Sequence, residues 1–303
     1  MAKEQQSKNN QGMHCRFTMK PISCLASCQN SSIRKRIMDL DIYQVDSFTT
    51  EPFKGNPAGV CLSQEPLPEA LMFSIAEEMA VSETAFLCLK DMRLRWFTPK
   101  VEVALCGHGT LATAQILKEQ GLAKVGDTIA FQTLSGELHA KVKESTIELD
   151  FPSTQLEMDV EQDATLLAAL GFKAEQVVSY AQFDSKGFIE VDSEQTVLEL
   201  EPNFDALKNI QGRGVVVTAQ SNSPDLDFIS RYFAPWVGVN EDPVTGSAHC
   251  ALTQFWAQKL GQNQFRAYQA SARGGHLQTE LLENGRIKLI GSAKTVISGK
   301  LKV

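Results

Sequence analysis

The sequence predicts an α+β protein of two similar lobes, each a barrel-like wrap of strands around one central helix, and three observations carry that prediction. Arg95-Trp-Phe-Thr-Pro99 returns 136 residues later as Arg231-Tyr-Phe-Ala-Pro235, so Arg95 falls on Arg231, Phe97 on Phe233, Val101 on Val237 and Val103 on Val239. A period this long lies far beyond solenoid repeats and points to duplicated lobes. Next, the stretch from Gly107 to Gln120 carries Leu111, Ala112, Ala114, Ile116 and Leu117 with little polar face between them. Such a helix must be buried, and covering it takes strands on several sides. Finally, residues 246–260 offer a second apolar helix closed by Gly261, again amid strand-like stretches.

In chain order, residues 1–37 are rich in Gln, Ser, Asn and Lys, lack periodicity and read as a disordered basic extension. Their acid-poor composition also fits an organelle import segment, the alternative to a cytoplasmic location. Period-two alternation begins at Asp39 and marks a strand. Phe53 to Gly59 reads as a turn, Val60–Leu62 as a short strand, and Leu71, Ile75 and Met79 as one face of a helix ending near Ala80. Strands at 81–87 and 94–97 flank a polar turn, the helix from Gly107 follows, and strands at 128–133, 137–142 and 146–149 complete a first lobe of residues 38–150. The second lobe, 151–303, offers a helix at 164–170 and strands at 177–181, 187–191 and 215–219. After the helix at 246–260 come strands at 268–270, 275–281 and 286–290, with 295–300 able to cross back to the first lobe.

Composition narrows the function classes. Residues 1–37 hold seven Lys/Arg against one acid, leaving 22 basic against 35 acidic residues in the remainder. A body so negative lacks the surface that nucleic-acid phosphates require. No apolar run is long enough to span a bilayer, which excludes a membrane helix. The seven cysteines form no repeated pairs at zinc-site spacing and fit a reducing, cytoplasmic compartment.

Four positions carry candidate chemistry. Glu83 opens an apolar strand; it is either a surface carboxylate or a general base whose pKa is raised from about 4.3 by partial burial. His108, between Gly107 and Gly109, stands at the mouth of the first buried helix, where unpaired N–H groups favour an anion; alternatively it packs on that mouth. Asp242 opens Asp-Pro-Val-Thr-Gly-Ser247 at the mouth of the second helix, either as a turn starter or as half of a shared cleft. At the 136-residue offset Cys106 falls on Asp242, so only one side of that cleft keeps a thiol, which disfavours a symmetric two-cysteine racemase. Cys250 lies within the second helix and reads as a core thiol, and His139, His249 and His276 read as structural.

Together Asn56-Pro-Ala, Ser82-Glu-Thr-Ala-Phe86, Arg95-Trp-Phe-Thr-Pro99, Cys106-Gly-His108, Glu241-Asp-Pro-Val-Thr-Gly-Ser-Ala248 and Arg273-Gly-Gly275 resemble the PhzF (phenazine biosynthesis-like) family, especially its animal-type members, from about Met38 to the C-terminus. The resemblance implies a diaminopimelate epimerase-like fold with its site between the lobes. It also implies proton transfer between carbons, with Glu83 moving the proton and His108, Asp242 and Ser247 assisting. Asn56, Cys106, Gly107, Gly109, Thr245 and Gly246 are then the expected substrate-binding positions. A cofactor-independent isomerase acting on a small anionic, carboxylated metabolite is the leading expectation, with no metal, and the resemblance further implies a homodimer. Two alternatives stay open, a protein-binding module with a vestigial cleft and an epimerase that uses Cys106.

Overall fold

The computed structural model describes residues 39–158 and 160–303; the expected basic extension at 1–37 lies outside them. The first half runs β1 (Asp39–Ser47), β2 (Asn56–Ser63), α1 (Glu69–Met79), β3 (Glu83–Cys88), β4 (Arg93–Phe97), β5 (Glu102–Val103), α2 (Gly107–Glu119), β6 (Thr128–Thr133), β7 (Gly136–Val142) and β8 (Ile147–Phe151). The second runs α3 (Ala164–Leu170), β9 (Val177–Phe183), β10 (Lys186–Val191), α4 (Glu194–Leu198), α5 (Phe204–Lys208), β11 (Val215–Gln220), β12 (Phe228–Ala234), β13 (Val239–Asp242), α6 (Gly246–Leu260), β14 (Gln264–Gln269), β15 (Gly275–Leu281), β16 (Ile287–Gly291) and β17 (Ala293–Lys302). Among the described residues no helix is long and apolar enough to cross a membrane.

The duplication is visible strand by strand. In the first lobe β2 and β3 are parallel, β3 and β4 antiparallel, and β4 lies parallel to β6. In the second, β10 and β11 are parallel, β11 and β12 antiparallel, and β12 lies parallel to β14. α2 and α6 fill the two wraps; Leu111, Ala112, Ala114 and Ile116 of one and Ala251, Leu252 and Trp256 of the other are fully buried in one continuous apolar cluster. β8 pairs antiparallel with β16 and joins the sheets, while β17 returns to pair with β1. This is the two-lobed diaminopimelate epimerase-like architecture.

The repeated Arg-x-Phe has a physical purpose. Arg95 Nε donates to Glu102 Oε1 at 2.7 Å and its guanidinium lies 4.9 Å from the Phe97 ring centroid. Arg231 Nε donates to Glu241 Oε1 at 2.7 Å and lies 5.0 Å from the Phe233 centroid. Each guanidinium thus ties two adjacent strands leading to a helix mouth and covers an aromatic face.

That equivalence corrects the sequence alignment. Glu102, the partner of Arg95, is matched by Glu241, not by residue 238, because a short 3-10 turn at Pro235–Val237 and the left-handed Gly238 lengthen the second copy. Cys106, the residue preceding α2, therefore corresponds to Thr245, the residue preceding α6, and Asp242 lies in the strand before it. Other departures are local. Asn56 opens β2 rather than lying in a turn, and Phe228–Ala234 forms a full strand where the sequence reading marked only the motif. The short helices α4 and α5 have too few turns to show a helical period, but Ser193 and Asn203 cap them through their side chains.

Trp256 is fully buried and stacks on Phe228 with ring centroids 5.8 Å apart. Trp256→Ala is expected to cost about 3–5 kcal/mol of unfolding free energy, read by urea denaturation.

Candidate active site

Gly107 and Gly246 bring the two helix mouths together. A Cβ built on either glycine would lie 3.3 Å from the Cα of the other, so the N-termini of α2 and α6 meet almost backbone to backbone. Beside this contact is a cavity of about 90 Å³ lined by Glu83, Leu105, Cys106, Gly107, His108 and Phe151 from the first half and by Asp242, Thr245, Gly246, Ser247 and Cys250 from the second. Eight of the ten site residues expected from sequence thus face one space. The other two support it from behind.

Asn56 is fully buried at the start of β2 and directs Nδ2 to Asp242 Oδ1 and to the Val244 carbonyl, each at 2.8 Å. That crosslink holds an acid of one lobe from a strand of the other. Gly109 donates its N–H to Cys106 Sγ at 3.4 Å, and a Cβ there would lie 2.8 Å from the Trp96 ring and 3.0 Å from that sulfur, so only glycine fits.

Glu83 is placed by the parallel pairing of β3 with β2, in register with Ala58. Its Oε2 lies 3.2 Å from His108 Nε2, and His108, on the first turn of α2, is 5 % exposed. Ser82 Oγ approaches the same nitrogen at 3.4 Å. Burial by itself raises the Glu83 carboxyl, but the hydrogen bond and charge of His108, with Ser82 adding a hydrogen bond, outweigh it and leave Glu83 below its ordinary value. Burial likewise works against the His108 imidazolium, and its neighbours Cys106 and Glu83 reverse this and raise it well above the usual range. Burial, with the charge of Glu83 adding to it, pushes the Cys106 thiol up against the opposing influence of His108. The sequence expectation that Glu83 is raised is therefore overturned, because the imidazole beside it compensates the lost hydration.

The raised carboxyl is Asp242. Part of it opens on the cavity, yet protein surrounds it, and burial, with Glu83 nearby adding to it, pushes it up to about 6 despite His108 and hydrogen bonds from Thr245 and Asn56. Thr245 Oγ1 donates to Asp242 Oδ2, so this hydroxyl does not cap α6 and the first-turn amides of that helix have no side-chain cap. Ser247 lines the cavity on the same turn.

Two contributors escaped the sequence reading. Gln269, fully buried, accepts from the Thr245 N–H at 2.9 Å and donates to the Asp242 carbonyl at 2.7 Å, fixing the second mouth. The available clue is that Tyr268-Gln269 echoes Phe131-Gln132 of the first half. Phe151, at the end of β8, lies 3.6 Å from a Cβ position on Gly107 and forms an apolar wall. Donor atoms of Glu83, Cys106 and His108 also lie within 4.8 Å of one another, the one such group of potential metal ligands among the described residues.

With this geometry in place, the comparisons are decisive about ancestry. The profile of the PhzC-PhzF family, described as "Phenazine biosynthesis-like protein", matches residues 45–299. The chain belongs to this family. A protein of Halalkalibacterium halodurans named an uncharacterized isomerase is 48% identical over 267 residues, covering 88% of this chain and 99% of the relative. The phenazine biosynthesis-like domain-containing protein of Rattus norvegicus is 40% identical, with 87% and 99% covered. The crystal structure of a PhzF-family phenazine biosynthesis protein from Enterococcus faecalis superposes with a TM-score of 0.81 at 41% identity, covering 88% of this chain and 100% of that one. The family and its named relatives place the chain among isomerases.

The Asp242 carboxyl should show itself in stability. Unfolded, an aspartate titrates near 3.9; folded, Asp242 titrates at about 6. Below the unfolded value both states hold the proton and the group is silent. As pH rises the unfolded chain ionises first, so native stability falls, and above the folded value the cost levels off at about 3 kcal/mol or less. Asp242→Asn should therefore gain stability over the parent progressively between about pH 4 and pH 7, measured by urea unfolding across that range. A gap independent of pH would contradict the burial argument.

Proposed function

We propose that this PhzF-family chain is a cofactor-independent isomerase that removes a proton from carbon and returns it elsewhere on a small carboxylated metabolite. The observation that carries the reading is the opposed displacement of two carboxyls on one cavity, Glu83 below and Asp242 above the ordinary range. Environments that drive two acids apart sort them into a group that is ionised and a group that keeps a proton near neutrality.

In this reading Glu83 is the base. While it is ionised, the His108 proton is shared with it; once Glu83 takes the substrate proton, the imidazolium loses that partner and its N–H is free to follow the charge onto the substrate. No net charge enters or leaves the cavity. Asp242, pushed up to about 6, keeps its proton into the mildly acidic range and, with Ser247 on the same cavity, is the second donor to the substrate there. The weakly capped mouths of α2 and α6 supply backbone N–H groups and two positive helix ends for the substrate carboxylate. Phe151 and the contact between the mouths limit water, which strengthens these interactions.

Epimerisation through Cys106 finds less support. Its thiol is raised by burial, and the equivalent position in the other lobe is Thr245, which cannot serve as a second thiol base.

Small carboxylates that raise the melting temperature identify ligands of the native cavity. On such a ligand, Glu83→Gln should abolish exchange of a substrate C–H with D₂O, followed by NMR, and His108→Gln should slow it by roughly 10²-fold or more. Cys106→Ser should leave exchange measurable. Exchange that persists in Glu83→Gln would sink the assignment of the base.

A further inference from the structure

Arg273-Gly-Gly275 carries part of the family resemblance but does not line the cavity between the helix mouths. Its arginine reaches instead from the second lobe into the turn that joins β1 to β2 in the first. Arg273 Nη2 donates to Asp46 Oδ1 at 2.8 Å and to the Lys54 carbonyl at 3.0 Å, and Nε donates to the Gly55 carbonyl at 2.8 Å. Asp46 is fully buried, and among the described residues Arg273 is its one ion-pair partner. The other Asp46 oxygen accepts from the Phe53 N–H at 2.7 Å. The turn needs this hold, because Phe48 and Phe53 have left-handed φ of 65° and 67°, which residues with a side chain adopt only at a cost.

Both ends of the turn lead directly to the site. Ser47, next to Asp46, donates Oγ to the His108 carbonyl at 2.8 Å. Asn56, next to Gly55, donates to Asp242 Oδ1 and to the Val244 carbonyl. The segment that carries Arg273 also holds the strand end around Asp242 itself. Ser271 Oγ donates to the Pro243 carbonyl at 2.9 Å, and a Cβ on Gly275 would lie 2.2 Å from a methyl of the buried Val244, which leaves room for glycine alone. We propose that Arg273 is a positioning residue for Asp242: it clamps the β1–β2 turn so that Asn56, from the first lobe, closes over the carboxyl of the second. Arg273 touches no reacting atom in this arrangement. Its effect on turnover rests on the isomerase reading, in which Asp242 is a donor to the substrate; the clamp itself does not. A lysine at 273 keeps the charge beside Asp46 but lacks the planar fork that holds the two carbonyls at the same time. With the turn released, Asn56 no longer covers Asp242, water enters, and the carboxyl loses the burial that raises it.

The test needs no substrate. Urea unfolding of the full chain between pH 4 and pH 7 is compared for the parent, Asp242→Asn, Arg273→Lys and the double variant. Glu83 on β3, His108 on α2 and Tyr232 on β12, the titratable groups whose charges reach Asp242, are the same in all four proteins. With Arg273 in place, Asp242→Asn gains stability as the pH rises; in the Arg273→Lys background that gain should shrink by about half or more. A gain as large as in the parent overturns the positioning role, because a purely structural arginine lowers both members of the pair equally. A gain already absent with Arg273 in place also overturns it, since there is then no enclosed carboxyl for the clamp to hold. Should Arg273→Lys fail to fold, Arg273→Gln combined with Asp46→Asn, which leaves no buried charge unpaired, serves as the background with the same outcomes. Proton exchange that persists in Glu83→Gln would count against the isomerase reading alone, and an undiminished gain in the Arg273 variant against the clamp alone.

Discussion

Two helix N-termini facing each other across a backbone contact constitute an electrostatic problem. Each end carries about half a positive charge and several unpaired N–H groups, and Gly107 and Gly246 allow the two ends to approach as closely as the chain permits. A pair of like ends can be buried this way only beside negative charge. Glu83, joined by Asp242 once the pH exceeds about 6, supplies it from the flanking strands β3 and β13, and Asn56 locks the arrangement by bonding an acid of the opposite lobe. The concentration of acids, an imidazole and a thiol around one small cavity follows from the need to bury two helix ends together. A carboxylated substrate fits the same requirement.

The symmetric frame explains why the site itself is asymmetric. Both lobes use an arginine clamp on the strand leading to the helix, Arg95 with Glu102 and Arg231 with Glu241. Past the clamp the copies diverge: the first ends on Cys106 and His108, the second on Thr245 and Ser247 with Asp242 before them. Duplication supplied two rigid approaches to one point, and divergence placed different proton affinities on the two sides.

Much of this was legible in residues alone. Arg-x-Phe-x-Pro repeats because the clamp needs a guanidinium, a facing aromatic and a following turn, so its spacing survives in the chain. The two helices showed themselves through apolar residues on nearly every face. Less legible were features that depend on spatial neighbours. A fixed offset carried past Pro235 put Cys106 against Asp242, since nothing local announces that the 3-10 turn before Gly238 inserts length. Glu83 looked like a desolvated acid because its strand is apolar, while the imidazole that reverses its shift arrives from a helix 25 residues later. Gln269 acts by bonding two backbone groups, a role without a composition or a period.

The pairing of β17 with β1 sets a schedule for synthesis. From the ribosome, β1 emerges first and finds β2, but its other edge has no partner until the last ten residues of sheet appear, after the whole second lobe. The first-made lobe is thus the last to be completed, with the strand edge beside α2 waiting on β17. A chain halted between Gln269 and Ala293 would hold both halves of the site and an unfinished barrel, so a complete set of site residues and a closed first lobe are reached at different moments of synthesis.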